Sequence, residues 1–493
     1  MNRIFLFLLF FLAHGVANAG CPIITDGSTQ ITTCDQTFSG SVIVTGVGSN
    51  FSTRTRGDIT LYVRTTGSDG NDNMCLNVES PCLTISYALS RVPHYIDHQV
   101  VVDIGAGTFD GFVVSSFDIA YVGRLWIKGA TGAPTLTTGT ATGTATGGDI
   151  DTCTDSGQEW TANELRGKIV EIGTEYMVIT GNTETSMELA GRLSGSCSGE
   201  DYSIVEQKTT INPIVLGNFG TGAVLVNNMR CAGIPVDPTD HKWSVDLGSY
   251  VIRDFKMSNA SADFGIAVIN TGGGIIDRNY VDGSDKDAAS LGIWVRDIDI
   301  PMYVRHNFAT GWEHGIRVES VRNMESMYGN YTYGNEMGVR VKHAKTVQLD
   351  DMVAESNTQR GISLINVSYA LGGYVKSNNN GIGFCTRNST SVKVTNGSMS
   401  NNTLFGVALE NSFLRIRSMS GTGNGQFGLY VNVDATAVID DTTSVTGSSG
   451  DATLNGGVTA LDWGVDFPDN GDIVVNLDTG ARCERDDTGS DDE

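Results

Sequence analysis

Only nine prolines interrupt the 493 residues, and Lys plus Arg number 32 against 56 Asp plus Glu, a formal charge of −24. So acidic a chain argues against nucleic acid or an anionic membrane as the main partner. Long apolar runs are missing. The opening run, 4–13, is too short to span a bilayer, and no later segment is apolar enough to do so. No two of the nine cysteines have Cys-x-x-Cys spacing and no Cys/His set has zinc spacing, so the cysteines read as structural rather than metal-ligating.

What the chain has is a short phrase that returns eight times between Gly265 and Val433: glycine, an apolar residue, a variable residue, another apolar residue. The copies begin at Gly265, Gly292, Gly315, Gly338, Gly361, Gly381, Gly406 and Gly428, in steps of 27, 23, 23, 23, 20, 25 and 22. A period in the low twenties is too short for helix-pair repeats and suits one turn of a solenoid. Two residues apart in a strand means one face, so Ile293 and Val295 should point inward and Trp294 outward. Gly, Asn, Ser, Thr and Val between the phrases disfavour helix, and the Leu/Asn signature of leucine-rich repeats is missing. The expectation is an all-β, single-stranded parallel β-helix, its strands stacked about 4.8 Å apart. Asn335, Asn357, Asn402 and Asn424 precede the glycines by three or four residues. They read either as a stacked amide ladder or as solvated turn residues.

In chain order, Met1-Asn2-Arg3, the apolar run and Ala17-Asn18-Ala19 form the three parts of a secretory signal peptide, with cleavage expected after Ala19. Export would leave most cysteines oxidised, and three local pairs suggest themselves: Cys21 with Cys34, Cys75 with Cys82, Cys153 with Cys197. Cys231, Cys385 and Cys483 are left over. Residues 20–57 are expected to cap the open solenoid end. Then come Thr60-Leu61-Tyr62-Val63, the turn Gly67-Ser68-Asp69-Gly70, Pro81-Cys82-Leu83-Thr84-Ile85, and a strand ending in Gly107-Thr108-Phe109. This succession resembles the first coil of pectate-lyase-like right-handed β-helix proteins. The resemblance implies a right-handed solenoid whose N-terminal helix, here 83–92, caps the core. It leaves activity open, because that superfamily holds lyases, hydrolases, epimerases, tailspikes and non-catalytic surface proteins.

First coils are expected over 58–145, a small inserted antiparallel β module over 146–206, the main β-helix over 207–433, a C-terminal cap over 434–482 and an acidic tail over 483–493. Asp69 with Asp72 read either as calcium ligands or as a solvated turn, and Asp277, Asp282, Asp285 and Asp287 could gather calcium but show no identifiable ligand order; no motif requires a cofactor, and calcium stays open. The Asn-Thr-Asp, Gly-His-Gly and Arg-Ile-Lys set of polygalacturonases and the Tyr-Gly-x-Asp-Pro-His phrase of alginate epimerases are both missing.

The outward row reads Ala267, Trp294, Arg317, Arg340, Ser363, Gly383, Ala408, Tyr430, and the row two residues on reads Ile269, Arg296, Glu319, Lys342, Ile365, Cys385, Glu410, Asn432. Trp294, Arg296, Arg317, Glu319, Arg340 and Lys342 should therefore share one patch. From 292 to 345 there are seven Lys or Arg and six Asp or Glu, a local +1 in an acidic chain. An indole offers an apolar ring to a sugar face, and arginine holds a carboxylate with two parallel hydrogen bonds. The plainer alternative is that Glu319 only pairs with neighbouring arginines. His306, Glu313, His314 and His343 fall in the same turns as acid or base candidates for uronate lyase chemistry. The sequence thus points to an extracellular, acidic polysaccharide as partner, recognised and open to cleavage, or alternatively to a non-catalytic adhesive scaffold.

Overall fold

The computed structural model describes residues 54–449, except 71–72, 233–248, 259–261, 272, 284–289, 433–434 and 440–442, and further the backbone of five short strands outside that range. The signal peptide, Cys21, Cys34, Asp72, Asp285, Asp287, Cys483, the acidic tail and most of the two terminal caps lie outside the described residues.

The fold is a right-handed parallel β-helix with three walls. One turn runs Leu291–Ile298 on the first wall, Met302–Arg305 on the second and Phe308–Thr310 on the third, then returns to the first wall at His314–Val321. Each strand pairs in parallel with the equivalent strand of the next turn. Ile293, Ile316, Val339, Ile362, Phe384 and Val407 stack in register and are buried. Each such side chain contributes about 1.5–3 kcal/mol of hydrophobic stabilisation.

The walls are joined by sharp corners, and each corner needs a left-handed backbone residue. Between the first and second walls these include Asn228, Asn270, Asp297, Ser320, His343, Asn366, Asn388 and Asn411, all with φ between 45° and 56°. Such a conformation costs a non-glycine residue on the order of 1–2 kcal/mol. The rung below offsets it: the N–H of His343 donates to Ile365 O at 3.0 Å and that of Asn366 to Arg387 O at 3.0 Å.

Inside the corner between the third and first walls runs a fully buried amide ladder. Asn335 donates through its backbone N–H and its Nδ2 to Asn357 Oδ1, both at 3.1 Å; Asn357 does the same to Asn380, and Asn402 to Asn424. Asn380 N–H donates to Asn402 Oδ1 at 3.0 Å. A second ladder, Asn279, Asn307, Asn330, lines the next corner. These asparagines are therefore ladder members, not solvated turns, and Asn380 belongs with them. The ladder also explains the repeat glycine. A Cβ on Gly338 would meet Gly361 O at 2.6 Å and Asn357 Nδ2 at 2.8 Å.

One copy of the phrase is corrected by this register. Ser363 pairs with Cys385, so Gly383 rather than Gly381 is the repeat glycine, and the steps of 20 and 25 become 22 and 23. Cys385 takes the place of Gly383 in the first outward row, and Arg387 that of Cys385 in the second. Cys385 is disulfide-bonded.

At the N-terminal end the helix is shorter than 83–92. It spans Ile85–Ser90, with Thr84 as its N-cap. Asp69 accepts from Leu83 N, Thr84 N and Thr84 Oγ1, so its carboxylate secures this helix entry. Leu83 precedes the cap and stays exposed, while Ile85, Ala88, Leu89 and Val92 are buried. Disulfides join Cys75 to Cys82 and Cys153 to Cys197, with Cα separations of 5.1 and 5.4 Å.

The antiparallel module begins at Thr131–Gly132, upstream of position 146, and closes with Asp201–Gln207. It departs from the second wall after Arg124–Lys128 and returns to the third wall at Thr209–Asn212, which pairs in parallel with Gly107–Asp110. Because it leaves at that corner, it lies over the third wall. Ile169, Val178 and Ala190 of the module pack on Phe308, Tyr331 and Val353.

Candidate functional site

The first wall presents the outward row anticipated from the repeat. Trp294, Arg317, Arg340 and Ser363 are successive register partners, as are Arg296, Glu319 and Lys342. Parallel stacking thus brings residues from three turns onto one surface, about 4.8 Å per rung.

Glu319 is the hub. Its Oε1 accepts from Arg317 Nε at 2.6 Å, and Arg317 Nη2 also contacts it; its Oε2 accepts from Trp294 Nε1 at 3.3 Å. The carboxylate therefore locks the indole of the preceding rung and the guanidinium of its own. Phe264 backs the indole, ring centroids 6.4 Å apart. Arg296 lies over the Trp294 ring at 5.8 Å and pairs with Asp297 at 3.2 Å. Lys342, the register partner of Glu319, forms no ion pair among the described residues.

Arg340 differs from what its outward position suggests: it is 4 % exposed and donates from Nη1 to His314 Nε2 at 3.1 Å. His314 has no exposure. Burial, aided by the guanidiniums of Arg317, Arg340 and Arg360, holds its pKa well below the usual imidazole value, so it is neutral and Nε2 is free to accept. Arg360, 4 % exposed, sits one rung beyond Met337 in the same column as His314 and was not singled out from sequence. Its signal was present, because it immediately precedes a repeat glycine as His314 does.

The other titratable candidates are dispersed. His306 lies at the corner between the second and third walls, its Nδ1 3.1 Å from Asp277 Oδ1. Asp277 is also beside Arg305 and Arg278, which together with His306 hold its carboxyl below the ordinary range despite burial. Asp277 is thus committed to internal cations rather than to calcium. His343 is exposed at a first-wall corner near Asn366. Among the described residues no group of three His, Cys, Asp or Glu side chains is placed to hold a metal ion. A cleft of about 630 Å³ opens at the corner next to Arg296, lined by Asp118, Asn228, Asn270, Asp297 and Asp299.

A parallel β-helix protein with a tryptophan, arginine and lysine wall is what the geometry defines. The sequence matches no family model and no curated protein. Among solved structures it is similar to the A-module of mannuronan C-5 epimerase AlgE4 of Azotobacter vinelandii, at 10 % identity over 79 % of this chain and 92 % of that one, TM-score 0.38. It is also similar to the Pseudomonas phage phi297 tailspike gp61, at 11 % identity over 76 % and 72 %, TM-score 0.23. A third is the Gp54 tailspike of Acinetobacter baumannii bacteriophage AP22, described in complex with capsular saccharide, at 9 % identity over 77 % and 73 %, TM-score 0.21.

Proposed function

We propose that the protein is an extracellular polysaccharide-recognition protein whose first wall holds an acidic glycan. The observation that carries this reading is the Glu319 carboxylate gripping Trp294 and Arg317, which fixes an aromatic edge beside two cations, Arg296 and Lys342. A sugar ring lies against the indole, and its carboxylate meets Lys342, while Arg296, paired with Asp297, borders the site. Arg317 acts mainly as a support, since its charge is already matched by Glu319, and Arg340 lies beneath the surface. Disulfides at Cys75–Cys82 and Cys153–Cys197 fit an oxidising, exported setting, and no described helix is long and apolar enough to cross a membrane.

His314, three residues before Arg317, is closed off from solvent with Nε2 taken by Arg340, so it offers no general base to a ligand on this wall, whereas His343, next to Lys342, is exposed and leaves cleavage to be tested beside binding. The experiment is affinity electrophoresis in gels containing pectate, alginate or glycosaminoglycan, with Trp294→Ala beside the wild type. Retardation of the wild type and its weakening by about tenfold in the variant supports the reading. Ultraviolet absorbance from unsaturated uronates, or new reducing ends, would show that the protein also cleaves.

A further inference from the structure

The second wall is open over its later turns. Tyr369, Ser391 and Phe413 occupy one outward column of this wall, and Leu371, Lys393 and Arg415 the next. Tyr369 is 42 % and Phe413 38 % exposed, and the small Ser391 between them leaves a dip between two rings. The rings are two rungs apart, about 9.6 Å, roughly the advance of two pyranose rings in an extended chain. Lys393 and Arg415, in the next column, form no ion pair among the described residues. Asp350, on the preceding strand's edge of the wall, accepts a hydrogen bond from Gln348.

Single exposed apolar side chains are ordinary. Two aromatics two rungs apart, flanked by two cations with no ion pair among the described residues in a chain of net charge −24, are not. We propose that this strip is a second binding surface for an extended acidic polysaccharide, independent of the first wall. Tyr369 and Phe413 take alternate sugar faces, and Lys393 and Arg415 take the carboxylates or sulfates between them. Charge selects the occupant: the strip is cationic where the chain as a whole repels polyanions, so a polyanion gains here what it loses elsewhere. Leu371, one rung before Lys393 in the same column, extends that column with an apolar side chain. The proposal shares with the preceding reading the class of ligand, not the site, and makes the protein able to hold two glycan strands at once.

The test is affinity electrophoresis of four full-length proteins in polyanionic and neutral polysaccharide gels: wild type, Trp294→Ala, the strip variant Tyr369→Ser with Phe413→Ser, and all three changes combined. All strip changes are at exposed positions, and a thermal melt of each variant checks that it is folded. Because the two surfaces bind independently, the strip variant should keep the retardation given by the first wall, a loss of about twofold if the two are of similar strength, and only the combined protein should lose about tenfold or more. A Lys393→Gln, Arg415→Gln pair should weaken retardation by polyanions and leave that by neutral glycans unchanged. Unaltered retardation of the strip variant, with loss in Trp294→Ala, overturns the strip and leaves the first wall standing; the reverse pattern does the opposite. No retardation of the wild type by any polyanion overturns both. Self-association in sedimentation velocity that vanishes in the strip variant would make the occupant a second copy of this chain and overturn the glycan.

Discussion

Arg192 and Asp351, 159 residues apart in the chain, form an ion pair in which Arg192 Nε donates to Asp351 Oδ1 at 2.7 Å. Arg192 belongs to the inserted module, and Asp351 is a left-handed corner residue of the solenoid with its side chain buried. The same guanidinium lies over the Tyr374 ring one rung on. A second link, Lys376 Nζ to Asp151 Oδ2 at 2.8 Å, joins the two bodies nearby. The module is thus fastened by charge as well as by its apolar face.

Replacing Arg192 by Ala removes a cation from a buried carboxylate and should cost about 2 kcal/mol. Hydrogen exchange is expected to rise at the module strands facing the third wall and to stay low in the first wall. Uniform loss of protection across the solenoid would show that the pair supports the whole fold rather than the docking.

Asn357→Ala should be more damaging than its one side chain suggests. It deprives the backbone N–H and the Nδ2 of Asn335 of their acceptor in a dry corner, at about 1–3 kcal/mol for each group. Urea titration measures it; a change under 1 kcal/mol would mean that the ladder is dispensable.

Stability should decline as pH falls below about 6.5, the unfolded imidazole value. Burial lowers the folded pKa of both His306 and His314, so the unfolded chain takes up these protons first, and the loss is complete only below the folded values. Burial raises the pKa of Glu355, whose Oε2 accepts from Tyr331 OH at 3.1 Å, and this acts in the opposite sense: protonation on acidification relieves a cost present at neutral pH. Melting curves from pH 7.5 to 5.5 should therefore be flatter for His314→Gln than for the wild type. Glu355→Gln should melt higher at neutral pH, and an equal slope in all three proteins would refute the assignment.

Cys231 is a free thiol, 6 % exposed, its pKa pushed up to about 12 by burial. It should resist iodoacetamide at pH 8 in the native protein and react once the chain is unfolded in guanidinium. Peptide mass spectrometry reads the modification at this position; native labelling within minutes would show that the wall around it opens.

The sequence by itself determined the solenoid, because a glycine and two apolar positions recurring in the low twenties can bury a continuous core only by stacking. It suggested Cys75–Cys82 and Cys153–Cys197 as local pairs without fixing them, and the tertiary structure joins both. It also lined up Trp294, Arg317 and Arg340, since equal spacing sends residues to one column. It misplaced one repeat glycine at Gly381, for either choice puts Phe384 inward and Cys385 outward; the strand register and the amide ladder through Asn380 place it at Gly383. Tertiary structure alone decided which outward residues meet solvent. Tyr331 and Phe308 face out of their wall yet are buried by a module inserted far upstream, and Arg340 is buried in an outward row beside His314. A periodic pattern fixes direction within a rung, whereas exposure depends on what distant segments lie across it.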